Sequence, residues 1–146
     1  MPNLLAERDR EALIRRLAAL TPERQRRWGR MTAHQMLCHV SDQMRVALGD
    51  LPTTSYGGAV SGQLARLYAI HTPLPWPRGK VRTAPEMLTA KPAGWDEDVR
   101  ACEALIRRFA TERPHSPHPR FGRLSTREWG VLGAKHLAYH FTQFGV

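Results

Sequence analysis

Side chains four apart on a helix stack on one face, so the imidazoles of His136 and His140 in "STREWGVLGAKHLAYHFTQFGV" can reach one metal ion. The spacing alone is a weak motif and equally fits two core histidines, each bonded to a side chain or a carbonyl. Further upstream, "TAHQMLCHVSDQMRVALGD" carries His39, which holds the same kind of place on its own helix. There Ala33, Met36, Leu37, Val40, Met44, Ala47 and Leu48 make a broad apolar arc, with His39 and Gln43 along one side. His34, Ser41 and Arg45 fall on the outer side. Asp42, at the edge of the arc, is read as solvated, with the ordering of an imidazole as its functional alternative.

These histidines need helices that hold them. The last helix has a start signal in Ser125 with Glu128 three residues on, a capping box. At ~100° per residue Trp129, Leu132, Gly133, His136, Tyr139, His140 and Gln143 form one arc, which turns both histidines inward. Thr32 and Gln35 repeat the capping box at the start of the His39 helix, which runs to Gly49. Asn3 is read as the cap of a first helix of about four turns with Leu13, Leu17 and Leu20 inside, ending near Thr21-Pro22. Gly29 breaks the basic connection that follows, and Trp28 packs at the end of the helices. "AVSGQLARLYAIH" reads as a shorter helix, and Trp95 to Glu112 as the clearest amphipathic one, with an acidic start suited to the helix dipole. Between them a proline-rich crossover, 72–94, contains a helical turn at Pro85 to Leu88. It is read as a strap across the molecule, with Trp76 and Met87 as pocket walls if it covers a site. His115 and His118 stand among prolines and are expected to be exposed.

Four long amphipathic helices, a short one and no alternating strand point to an all-α single domain over residues 1–146, a four-helix bundle with a short extra helix in the long crossover. The ~45 residues between the second and third long helices can cross the bundle and permit a parallel pair. Cys38 and Cys102 lie inside helical patterns and form no close-spaced motif, so both are expected to be reduced structural thiols. No apolar run is long enough to span a membrane and the N-terminus lacks a secretory pattern, so a cytoplasmic protein is expected. The net charge of +9 could attract anionic substrates or nucleic acid. The arginines are dispersed, however, without interleaved aromatic residues, which argues against a specific nucleic-acid binder.

Three stretches together, "MTAHQMLCHVSDQM", "FGRLSTREWG" and "KHLAYHFTQFG", resemble the DinB/YfiT-like superfamily, and within it a branch of bacterial proteins of undefined function. The resemblance covers nearly the whole chain. It implies a bundle of up-down-down-up type in which three histidines hold a divalent ion, and the matching positions are His39, His136 and His140. Known members include thiol-dependent S-transferases, which join a low-molecular-weight thiol to an electrophile, and a mycothiol-dependent isomerase.

Three neutral imidazoles leave an ion its full charge and an open position, the arrangement of a catalytic rather than a closed structural site. An ion there would lower the pKa of a thiol in a transferase, or of a water in a hydrolase. Imidazole accepts zinc, nickel, iron and manganese alike, so the donor set does not name the metal. Tyr139 and Gln143 lie on the histidine face, where they bond substrate or a ligand ring, or simply complete the core. No acidic or basic residue beyond the histidines is placed as a general acid or base. The expected function is a metal-binding protein acting on a small-molecule substrate; the residues do not separate transferase from hydrolase chemistry, and thiol transfer is the reaction that the resemblance implies. The alternative is a non-catalytic helical binding module with a structural metal or core histidines. Exposed helical faces often pair, which leaves a homodimer as an open expectation.

Overall fold

The structure is a computed structural model that describes residues 1–80, 83–88 and 90–146. Among the described residues it is all-helical: α1 (Glu7–Ala18), α2 (Ala33–Leu48), α3 (Ala59–His71), a 3-10 turn (Pro85–Leu88), α4 (Trp95–Glu112) and α5 (Thr126–Gln143). The one β-type pairing among them is an isolated bridge between His118 and Gly122. Among the described residues no helix is long and apolar enough to cross a membrane.

Local chemistry sets the ends of the two helices that carry the histidines. At α2 the Thr32 hydroxyl accepts from the Gln35 N–H at 3.1 Å, and the Gln35 side chain accepts from the Thr32 N–H at 2.9 Å. At α5 Ser125 and Glu128 make the same exchange, at 3.2 and 2.9 Å. Each box satisfies backbone N–H groups that a helix start otherwise leaves open. α2 stops at Gly49, whose φ of 87° is open to glycine without a Cβ penalty. The end of α5 is held from outside: Arg16 on α1 donates to Ala138 O, Thr142 Oγ1 and Val146 O, which places a cation at the negative end of the helix.

α2 packs along α4 and against α5, while α1 packs against both α4 and α5. Met36, Leu37, Val40 and Met44 of α2, Ile106 and Phe109 of α4, and Trp129, Leu137 and Phe141 of α5 are completely buried in one apolar cluster. Burying each such side chain stabilises the fold by about 1.5–3 kcal/mol, and this burial rather than helix propensity orders the helices. α3 lies against α5, tied by Arg66 and His71, which both reach Glu128 Oε1, at 2.6 and 2.9 Å. The 3-10 turn sits on α2.

Several expectations need correction. Asn3 does not cap α1, which starts later, with Ala6 at its N-cap and no side-chain cap. Asn3 instead makes a turn, accepting from the Leu5 N–H and donating to Arg127 O of the α5 end. Ser41 is not on an outer face; it is buried where α2 meets α4, and its hydroxyl donates back to Leu37 O at 2.9 Å, which satisfies it inside its own helix. The crossover 72–94 does contain its 3-10 turn at Pro85–Leu88. Its residues 81, 82 and 89 lie outside the described residues.

Candidate metal centre

Contact between α2 and α5 brings His39, His136 and His140 together, each with 7% exposure or less. The ring centroids are 4.8 Å apart for His39 and His136, 4.9 Å for His39 and His140, and 4.6 Å for His136 and His140. One ligand-type nitrogen from each ring lies within 4.8 Å of the other two. His39 Nε2 and His136 Nε2 are 3.0 Å apart, close to the ~3.3 Å between two nitrogens of one tetrahedral zinc with Zn–N of ~2.0–2.1 Å.

Hydrogen-bond partners assign the tautomers. His39 Nδ1 faces the Met87 carbonyl at 3.1 Å, and a carbonyl only accepts, so Nδ1 carries the proton and Nε2 is a bare donor to metal. His140 Nδ1 lies 2.8 Å from Gln143 Oε1, and the Gln143 amide is oriented by its own N–H donation to the Trp28 carbonyl at 2.6 Å. His140 Nε2 is bare by the same reasoning. His136 differs: its Nδ1 is buried with no hydrogen-bond partner. With Nε2 directed at His39, this ring either donates its Nε2 proton to His39 or leaves that nitrogen to a cation.

Burial keeps all three rings neutral. It lowers the pKa of His39, takes His140 down to about 3, and holds His136 well below the ordinary imidazole value, with the neighbouring histidines adding to the effect on His136 and His140. Neutral imidazole is the form that binds metal. The donor set, the two fixed tautomers and the short nitrogen–nitrogen approach all fit a divalent ion.

A cleft of about 130 Å³ opens over the rings, with Trp28, Met31, Trp76 and Tyr139 among its walls. At ~30 Å³ per water that is room for about four waters, or one small ligand group, beside the histidines. Tyr139 stands edge-on to His140, and its hydroxyl accepts from Trp28 Nε1 at 3.2 Å and from the Gly79 N–H at 3.1 Å. Trp28 thus borders the cleft, where its ring also carries the Arg78 guanidinium at 4.5 Å. Gly29, at φ 83°, turns the chain where a Cβ would sit 2.5 Å from Gln143 Nε2.

The other expected residues separate. Gln143 orients His140, and Tyr139 and Trp76 wall the cleft. Asp42 is neither solvated nor bonded to an imidazole: it is 3% exposed and pairs with Arg45 at 2.8 Å, because the α2 face beside it packs into the protein. Gln43 is buried away from this cleft and lines a different cavity, with its Oε1 unpaired. His118 is not exposed. Its Nδ1 accepts from the Arg120 and Phe121 N–H groups, its ring stacks on Phe121 at 4.3 Å, and burial takes its pKa down to about 3.

Sequence reasoning missed the Met87 and Trp28 carbonyls, because a backbone oxygen leaves no mark in residue type. It also missed a second grouping in which His34, Cys38 and Asp98 offer ligand-type atoms within 4.8 Å of one another. There His34 and Asp98 pair at 2.6 Å, and burial raises the pKa of the Cys38 thiol. Burial also pushes Cys102 up to about 12, so both thiols stay protonated near neutrality. Compared with known proteins, the chain matches no family model, no curated protein and no solved structure.

Proposed function

We propose that the protein binds one divalent metal ion through His39, His136 and His140 and uses it on a small-molecule substrate, with transfer of a low-molecular-weight thiol to an electrophile as the reaction. The observation that carries the reading is the convergence of three buried, neutral imidazoles, two with Nδ1 protons committed to Met87 O and Gln143 Oε1. Ligating histidines in metal sites are held in this way by an acceptor on the second ring nitrogen. The reading includes an up-down-down-up four-helix bundle formed by α1, α2, α4 and α5, in keeping with the resemblance to the DinB/YfiT-like superfamily.

An ion held by three histidines would supply Lewis acidity at an open position, lowering the pKa of a thiol or water placed there. The chain's own residues do the rest. Met87 O and Gln143 fix two rings so that no reorganisation is needed to present their Nε2 lone pairs. Trp28, Trp76 and Tyr139 restrict the cleft to small groups and limit water. Cys38 and Cys102 are protonated and buried, so a thiol reactant has to come from solution.

The test is metal analysis of the purified protein together with a screen of small thiols against 1-chloro-2,4-dinitrobenzene. About one ion per chain is expected, lost in His39→Ala, His136→Ala and His140→Ala, along with thiol-dependent turnover. The second reading, a non-catalytic domain with core histidines, is favoured by the same 3.0 Å approach taken as an Nε2–H···N bond between His136 and His39. It predicts no retained ion and no turnover.

A further inference from the structure

His136 also borders a larger cavity, of about 440 Å³. That volume is within the range of pockets that take small organic molecules. Gln43 and His136 form part of its wall, at 3% and 7% exposure.

The same cavity carries positive charge. Lys80 and Arg120 line it, and neither has an acidic partner among the described residues. Arg120 is placed by close packing: a Cβ at Gly57 would lie 2.8 Å from its Nη1, and one at Gly62 would lie 2.7 Å from its carbonyl oxygen. Its guanidinium lies 5.9 Å over the Tyr56 ring. Tyr56, Trp76 and Phe121 supply flat apolar wall.

We propose that this cavity binds a small aromatic acid, with its carboxylate at Arg120 and Lys80 and its ring among Tyr56, Trp76 and Phe121. Binding does not require the metal, because none of these five residues is a proposed metal ligand.

The probe is 3-phenylpropanoate, titrated by calorimetry into chelator-treated and zinc-treated protein, with propanoate and phenethylamine as analogues lacking the ring and the carboxylate. Saturable binding of one molecule per chain is expected in both states, about tenfold weaker for either analogue and for Arg120→Ala. Ala65→Trp, at a half-buried position of the cavity wall, should abolish binding and leave zinc content unchanged. If that variant does not fold, Arg120→Ala and the analogues decide. Absence of saturable binding, equal affinity of the acid and both analogues, or binding that requires zinc and disappears in His39→Ala would overturn the proposal. Protein that retains no zinc yet binds the acid as described would uphold the cavity and sink the metal reading alone.

Discussion

Replacing Gln143 with Leu separates the two things its amide does. Its oxygen accepts from His140 Nδ1 at 2.8 Å, and its N–H donates to the Trp28 carbonyl at 2.6 Å. Leu fills similar space and offers neither bond. Leaving the Trp28 carbonyl without its donor costs about 1–3 kcal/mol, and at this chain length each kcal/mol lowers Tm by about 2–4 °C. Freeing His140 Nδ1 lets the proton move to Nε2, the nitrogen needed for the ion. Loss of such an orienting partner weakens metal binding about 10- to 100-fold, equivalent to about 1.4–2.8 kcal/mol. Gln143→Glu keeps an acceptor for His140 and removes the donor to Trp28, so zinc affinity should recover while stability does not. Competition against a chromophoric zinc chelator reads the first effect, and urea unfolding of metal-stripped protein reads the second. A Leu variant that loses stability but binds zinc within twofold of the parent would refute the tautomer assignment. A Glu variant no better than Leu would do the same.

Lowering the pH tests the buried imidazoles. His136 and His140 titrate below the ordinary value of 6.5 in the folded protein, so the unfolded chain takes up their protons first. Their contribution is fully present above about pH 6.5 and is lost as the pH falls toward the folded-state values, at about 1.4 kcal/mol per histidine and pH unit. Between pH 6 and 5 these two together with His118, which burial also takes down to about 3, should cost metal-stripped protein about 3–4 kcal/mol in urea unfolding, and a flat profile would show that the rings are not buried and neutral. Gly29→Ala meets both a positive φ and Gln143 Nε2, so it should destabilise by about 1–3 kcal/mol and weaken zinc binding as well, measured by the same two assays. Thr32→Ala removes the cap of α2 and should cost about 0.5–2 kcal/mol with zinc affinity unchanged, which separates helix stability from the site. Zinc at a thousandfold excess over its Kd should stabilise the parent by about 4 kcal/mol, and EDTA should reverse this in a thermal melt.

The helices were legible because their signals are local. Thr32 with Gln35 and Ser125 with Glu128 mark two starts, Gly49 marks a stop, and the 3.6-residue recurrence of apolar side chains does the rest. α3, the 3-10 turn and α4 fall where those patterns place them. The inward direction of His136 and His140 follows from position on one helix, which depends only on residue spacing. Asp42, Ser41 and His118 were misplaced for one common reason. Each has a polar side chain whose burial is made tolerable by a partner, Arg45, Leu37 O or the Arg120 and Phe121 N–H groups, and composition cannot announce such a partner.

From the sequence alone came the helical elements, the candidate imidazoles and the faces they occupy, since rotation per residue and capping chemistry act over a few residues. Tertiary structure decided the rest: that His39 meets a pair roughly a hundred positions away, which ring nitrogen each histidine keeps bare, and that Gln43 and His136 open onto a second cavity. Those outcomes depend on how α2, α5 and the Met87 turn pack, and packing is settled by the summed burial of many side chains rather than by any local run of residues.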